Sequence, residues 1–231
     1  MSQNPLSNIV EPIAKTISLG EVTYDRLKDI IIRGAFPPNK KLTVRSVADA
    51  LGVSTTPARD AINRLLSEGA LVNAGPKTVV IPVLTKEVLE EVTATRLALE
   101  GLAAERAVAN ISDKDIASLA RLQEVINRSL DKNDYPEVLA ANREFHFLLY
   151  RRSNWARLVS LIESLWLQVG PSLNVLYPEF AVNRRGVSNH MDILDGLRER
   201  DAQKVRRAVE QDLRDGYARL ERFLEEYDAE Q

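Results

Sequence analysis

Apolar residues return along this chain at two rhythms. From about residue 86 onward they recur every three or four positions, the period of helices with one buried face. Before that they fall into shorter groups divided by Gly, Pro, Ser and Thr. Val22, Leu27, Ile30 and Ile31 predict an amphipathic helix over about 21–34, ended by Gly34 and the Pro37-Pro38 pair. Residues 42–68, LTVRSVADALGVSTTPARDAINRLLSE, predict helix, tight turn, helix. Ala48 and Leu51 form the first apolar face, and Gly52 supplies the turn. Ser54 and Thr55 offer capping hydroxyls, with Pro57 in the first turn. Ala61, Ile62, Leu65 and Leu66 make the buried row of the second helix, which Gly69 closes. Two β-favouring stretches, Leu71-Val72 and Thr78–Ile81, flank a turn of Asn-Ala-Gly-Pro-Lys and predict a small hairpin. Residues 82–85 read as a linker, and six helices follow: about 86–109, 112 to about 133, one with Pro136 in its first turn that ends near Arg152, one opened by Asn154 that meets Gly170-Pro171, about 184–199, and 201 to about 227. The fourth is expected to bend at Gly170-Pro171.

A small-residue turn between two short helices is the layout whose second helix enters a DNA major groove. The residues that would face DNA here are Ser54, Thr55, Thr56 and Arg59, groups suited to phosphates and base edges. A hairpin directly afterwards reads as a wing, with Gly75 and Lys77 at its tip approaching the minor groove or backbone. A plain helical hairpin is the competing reading. The fold class is therefore mainly α. A flexible arm over 1–19 precedes a winged helix-turn-helix domain over 20–84, and a helical bundle fills 85–231.

The chain's 231 residues are 45% apolar, enough for one large or two small domains. The net charge of −2 is uneven: residues 1–84 carry +3 and the rest −5, so the DNA-reading segment lies in the basic part. The absence of cysteine excludes a disulfide framework, a thiolate nucleophile and cysteine-ligated zinc. No apolar run approaches about 18 residues and the N-terminus lacks a signal-peptide pattern, so no membrane role and a cytoplasmic location are expected.

The bundle breaks its own pattern. Its inward rows are Leu89, Val92, Arg96, Leu99, Ala103; Leu139, Asn142, His146, Leu149; Val187, His190, Leu194, Leu197; and Val205, Val209, Asp212, Gly216, Leu220. Each places a polar or charged group among apolar ones, and burying such groups unpaired costs several kcal/mol. They should meet one another, a metal or a ligand. Imidazole, carboxylate and amide oxygen are competent ligands for a divalent transition metal. A buried hydrogen-bond network is the alternative. For Arg96 the alternatives are a surface ion pair with Glu100 and an inward anchor for a ligand carboxylate. Phe145, Phe147, Tyr150, Trp155, Trp166, Tyr177 and Phe180 gather in sequence around this region; most are expected in the core, and Tyr150 is placed in the effector site.

Together these residues resemble the GntR family of bacterial transcription regulators, in the FadR-type branch whose all-helical ligand-binding domain is called FCD. The resemblance covers about 20–228. LGVSTTPARDAINRLLSEGALV matches the DNA-binding part. Arg59 and Arg45 match arginines that contact DNA in the family, and Gly75 matches the wing-tip glycine. Thr55 stands where the family usually has arginine, which implies an altered operator. ATRLALEGLAAERA resembles the opening FCD helix and maps Arg96 onto an arginine that contacts effector carboxylates. NREFHFLLYRRSNWARLVSLIESLW maps Asn142 and His146 onto metal ligands, and NHMDILDGLRERDAQKVRRAVEQDL maps His190 onto a third. Asp212 takes the place of a further histidine, giving a harder, anionic ligand. Six bundle helices suit the VanR-like group.

The resemblance implies a homodimer on a palindromic operator in double-stranded DNA. It implies a repressor released by a small organic acid bound beside a divalent metal, zinc first, with nickel and manganese as alternatives. Two rivals remain at this stage: a metal-dependent helical-bundle enzyme, and an architectural DNA-binding protein without an effector.

Overall fold

A computed structural model describes residues 18–34, 36–173 and 184–229. Residues 1–17 of the expected arm, Tyr177 and Phe180 lie outside the described residues, and Ser18 and Leu19, expected in the arm, already belong to the first helix and its cap. Helix α1 spans Leu19–Ile32 and begins with a reciprocal cap: the Ser18 hydroxyl accepts from the Glu21 amide, and the Glu21 carboxylate accepts from the Ser18 amide. Its buried face is Thr23, Tyr24, Leu27, Ile31 and Ile32, rotated from the expected row, and Val22 is exposed. The reason is tertiary. Helix α3 (Thr55–Ser67) offers Tyr24 a cation and an acceptor, with the Arg64 guanidinium 3.7 Å from its ring centroid and Glu68 2.7 Å from its hydroxyl. Burial and the Glu68 hydrogen bond push the Tyr24 phenol far above its ordinary range, so it stays a donor.

Helix α2 (Val44–Leu51) is capped by Thr43 and Ser46, and Arg45 is its second residue. It ends at Gly52, whose φ of +65° is the left-handed conformation the sharp turn demands. Ser54 holds the N-cap position of α3, but its side chain makes no capping bond. The wing is β2 (Val72–Gly75) against β3 (Thr78–Val80). A two-residue strand that the pattern does not announce, β1 (Lys41–Leu42), completes an antiparallel sheet in the order β1-β3-β2. Leu27, Ile31, Ala58, Ile62, Leu65, Leu71 and Ile81 form the core of this half.

Among the described residues the second half contains the six helices expected: α4 (Lys86–Ala107), α5 (Asp113–Asp131), α6 (Tyr135–Arg151), α7 (Ala156–Leu173), α8 (Arg185–Arg198) and α9 (Ala202–Ala229). α4 packs along α9, α9 against α8, and α5 against α6, around Leu119, Phe145, Phe147, Tyr150, Ile162, Ile193 and Val209. α7 stays helical through Gly170-Pro171. What Gly170 supplies is room, because a Cβ there would stand 3.1 Å from the Ile32 Cα. α1 thus closes onto α7, whose Leu167 enters the N-terminal core. Leu84, from the linker, is buried with Leu89, Val92, Val169 and Leu220.

Candidate functional site

The groove between α3 and the wing gathers Arg45, Thr55, Arg59, Gly75 and Lys77. Ser54 and Thr56 stand exposed at the same end of α3. The three cations are exposed, and among the described residues Arg45 is ion-paired with Asp49 at 3.9 Å. Uncapped amides at the start of α3 add donors. The sequence reading missed Asn63 and Asn73 on the same walls. Asn63 follows Arg59 by one helical turn, a signal that was available.

Inside the bundle, α6 supplies Asn142 and His146, α8 supplies His190 and α9 supplies Asp212. His146 Nε2 lies 3.3 Å from an Asp212 carboxylate oxygen and 3.2 Å from His190 Nε2. One ligand atom from each of the three falls within 4.8 Å of the others. Both imidazoles are buried. Phe145 stacks on His190 with ring centroids 4.1 Å apart. Asn142 is half-buried and lines the same cavity as His146 and Asp212.

Hydrogen-bond partners assign the protons. Gln123 on α5 donates its amide nitrogen to Asn127, which turns its oxygen onto His190 Nδ1 at 2.6 Å. His190 Nδ1 therefore carries its proton. Glu100 on α4 accepts from Arg96 Nε at 2.6 Å, Trp166 Nε1 at 3.0 Å and the Tyr150 hydroxyl at 2.6 Å. An ionised carboxylate only accepts, so the Tyr150 proton points at Glu100, and the Tyr150 oxygen must accept from His146 Nδ1, 3.1 Å away. With Nδ1 holding the proton, the neutral form of each ring presents an Nε2 lone pair, and the two Nε2 atoms face each other and a carboxylate. Burial pushes His190 down to about 3, so it is neutral at physiological pH. Three converging atoms that can each offer a lone pair fit a cation. The two contacts of His146 Nε2, at 3.2 and 3.3 Å, match the roughly 3.3 Å that separates ligands of a tetrahedral ion bound at about 2.0–2.1 Å.

Arg96 and Glu100 are both buried, so their pair is not the surface pair that i, i+4 spacing allowed. Arg96 lines a cavity of about 70 Å³ together with Asn142, His146, Asp212 and Trp166. Leu89, Val169 and Leu220 form its apolar wall. Tyr150 corrects the expectation: it is fully buried behind His146, in contact with Glu100, and does not line the cavity. The sequence reading also missed Gln123 and the inward direction of Glu100. Gln123 lies between Leu119 and Ile126 on an apolar stripe, the same violation that marked the histidines.

A winged helix joined to an all-α domain with an interior histidine–aspartate cluster defines a class, and the comparisons name it. Residues 91–215 match the FCD domain, and residues 19–80 match the gntR family of bacterial regulatory proteins. The chain belongs to this family and is a transcriptional regulator of the GntR/FCD type. Among its relatives is the HTH-type transcriptional regulator McbR of Escherichia coli K12, 33% identical over 199 residues, covering 84% of this chain and 89% of that protein. The solved structure of E. coli McbR/YncC superposes with a TM-score of 0.84 at 32% identity, covering 90% of this chain and 99% of that one. A putative GntR regulator from Rhodococcus sp. RHA1 shares the fold, with a TM-score of 0.71 at 21% identity over 87% and 96% of the two chains. These relatives are regulators rather than enzymes. Among the described residues no helix is long and apolar enough to cross a membrane.

Proposed function

We propose that this regulator binds a palindromic DNA duplex in the cytoplasm as a homodimer, through residues 20–84, and represses until a small organic acid enters residues 85–231 beside a bound divalent metal. The observation that carries the reading is the convergence of His146 Nε2, His190 Nε2 and the Asp212 carboxylate, with both Nδ1 atoms already engaged by Tyr150 and Gln123. Asn142 supplies a fourth ligand from the same cavity. Nitrogen and oxygen donors without sulfur suit zinc, nickel or manganese. When bound, the metal would leave coordination positions for a carboxylate. Arg96 Nε is engaged with Glu100, so the terminal nitrogens of the guanidinium are the donors left for an anion.

The groove supplies the DNA contacts: Arg59, Arg45 and Lys77 as cations, and Ser54, Thr55, Thr56 and the Gly75 backbone as smaller partners. The coupling route is physical. Leu89, Val169 and Leu220 wall the cavity and also bury Leu84 of the linker, so an occupant displaces the residues that seat the winged helix. The effector must bind the two arrangements unequally for this to shift anything.

Elemental analysis of purified protein tests the metal, with His146→Ala as control. About one divalent ion per chain is expected in the wild type and none in the variant; equal content removes the metal from the reading. Duplexes selected from a random pool by the wild-type protein test the rest. Enrichment of two-fold symmetric sites, and their release by carboxylates from wild type but not from Arg96→Ala, is expected. Release that ignores Arg96 would sink the effector assignment.

A further inference from the structure

Glu100 touches neither the cavity nor the metal-ligand atoms, yet it bonds Arg96 and Trp166, which line the cavity, and Tyr150, which touches His146. Its carboxylate is fully buried on α4 and takes three donors from three other side chains. Two of these, the Arg96 guanidinium and the Trp166 indole, can only donate. The third, Tyr150, can point its proton either way, and only the carboxylate decides the direction. That direction sets which nitrogen of His146 carries the proton, because the same Tyr150 oxygen lies 3.1 Å from His146 Nδ1.

We propose that Glu100 is the positioning residue of the bundle site. Through Tyr150 it holds His146 in the Nδ1–H tautomer that leaves Nε2 free for the metal, while through Arg96 Nε it aligns the guanidinium at the cavity. The proposal rests on the metal reading above. One anion thereby couples the two recognition groups. A ligand anion that draws Arg96 away from Glu100 strengthens the carboxylate's hold on Tyr150, and so the tautomer that binds metal. Gln123 performs the matching service for His190 with a neutral amide, which has no second partner in the cavity.

Glu100→Gln is the discriminating change. It keeps the volume but turns an acceptor into a group that can present N–H to Tyr150. Tyr150 then accepts, its proton turns to His146 Nδ1, and the imidazole proton moves to Nε2, where it blocks the metal. Long-range nitrogen–proton NMR of full-length, metal-free protein labelled at histidine reads the tautomer directly. We expect Nδ1–H for His146 in the wild type and Nε2–H in Glu100→Gln, with His190 unchanged. Zinc affinity, measured by competition with a chelating dye, should fall about tenfold to a hundredfold in Glu100→Gln, the range found when outer-shell partners of a ligating histidine are lost. Tyr150→Phe should weaken zinc without forcing the opposite tautomer. The double variant should lose no more than the weaker-binding single one, because the residues act in series. If Glu100→Gln does not fold, the wild-type tautomer and the Tyr150→Phe affinity still decide. An Nε2–H wild-type His146, or a Tyr150→Phe protein that binds zinc as tightly as wild type, overturns the proposal. A wild type that binds no zinc overturns the metal reading as well. A wild type that binds zinc, alongside a folded Glu100→Gln variant equal to it in affinity and tautomer, overturns this proposal alone.

Discussion

The two halves of the molecule each contain an arginine paired with an acid four residues later, and the pairs could hardly differ more. On α2, Arg45 and Asp49 stand 3.9 Å apart with side chains 90% and 74% exposed. On α4, Arg96 and Glu100 stand 2.6 Å apart with side chains 10% and 0% exposed. The same spacing leaves one guanidinium free in water for an outside anion and removes the other from water altogether. The winged helix displays its charges and needs each only weakly held. The bundle encloses its charges, and each must be satisfied by another. Between these extremes lies Arg152 with Asp115, joining the start of α5 to the end of α6, with side chains 42% and 15% exposed.

The largest expected effect is at the enclosed pair. Glu100→Ala leaves Arg96 buried without its partner and should cost about 3–5 kcal/mol of stability, read from urea denaturation. A cost below 1 kcal/mol would mean that Arg96 reaches water in the folded protein and that the contrast between the halves is false. Zinc at about a thousandfold over its dissociation constant should add roughly 4 kcal/mol to the wild type. Thermal melts with and without a chelator should lose that gain in His190→Ala. Stabilisation that survives the substitution would place the metal elsewhere.

Arg59→Ala should behave in the opposite way, weakening a selected duplex by about 1–3 kcal/mol while leaving the melting temperature of the protein alone. Undiminished binding at moderate salt would dismiss the groove as the DNA surface.

The intermediate pair gives a pH test. Arg152 beside Asp115, followed by the Ser112 hydroxyl, holds the Asp115 carboxyl well below the usual carboxylate range. A lowered carboxylate contributes stability above its unfolded value of about 3.9 and loses it as pH falls through the folded value. Asp115→Asn should therefore cost about 1 kcal/mol at neutral pH, discounted for the exposure of Arg152, and the difference from wild type should shrink as pH falls below about 4. A deficit that does not change with pH would assign the loss to the α5 cap instead. Least of all, Asp49→Ala should change stability by less than about 0.5 kcal/mol.

Much of the DNA-binding half was legible because its instructions are local. Gly52 and Pro57 act within one turn of themselves, and the exposed residues of α3 follow from the period of a helix whose buried row is apolar. The interior polar residues were legible by a different rule, as violations of an apolar stripe, and that rule found Arg96, Asn142, His146, His190 and Asp212. It was applied too narrowly to reach Gln123, and it left Glu100 as a surface alternative. Tyr150 was recognised as aromatic and interior, but its direction was not. The hydroxyl goes to whatever acceptor the neighbouring helix presents, and that acceptor is 50 residues away.

The chain by itself determined what each segment is: the helices and their approximate ends, the turn at Gly52, the hairpin after α3, and which side chains break the apolar pattern. Those outcomes depend on backbone preferences and periodicity over a few residues. Tertiary packing decided which face of α1 turns inward, where β1 finds a partner, how closely α1 approaches α7 at Gly170, and whether an i, i+4 ion pair lies in water or in the core. It also decided the proton arrangement of the site, because each hydrogen of Tyr150, His146 and His190 goes to an acceptor contributed by a neighbouring turn or a different helix. A donor's direction depends on which acceptor is nearest in space, and no single segment contains that information.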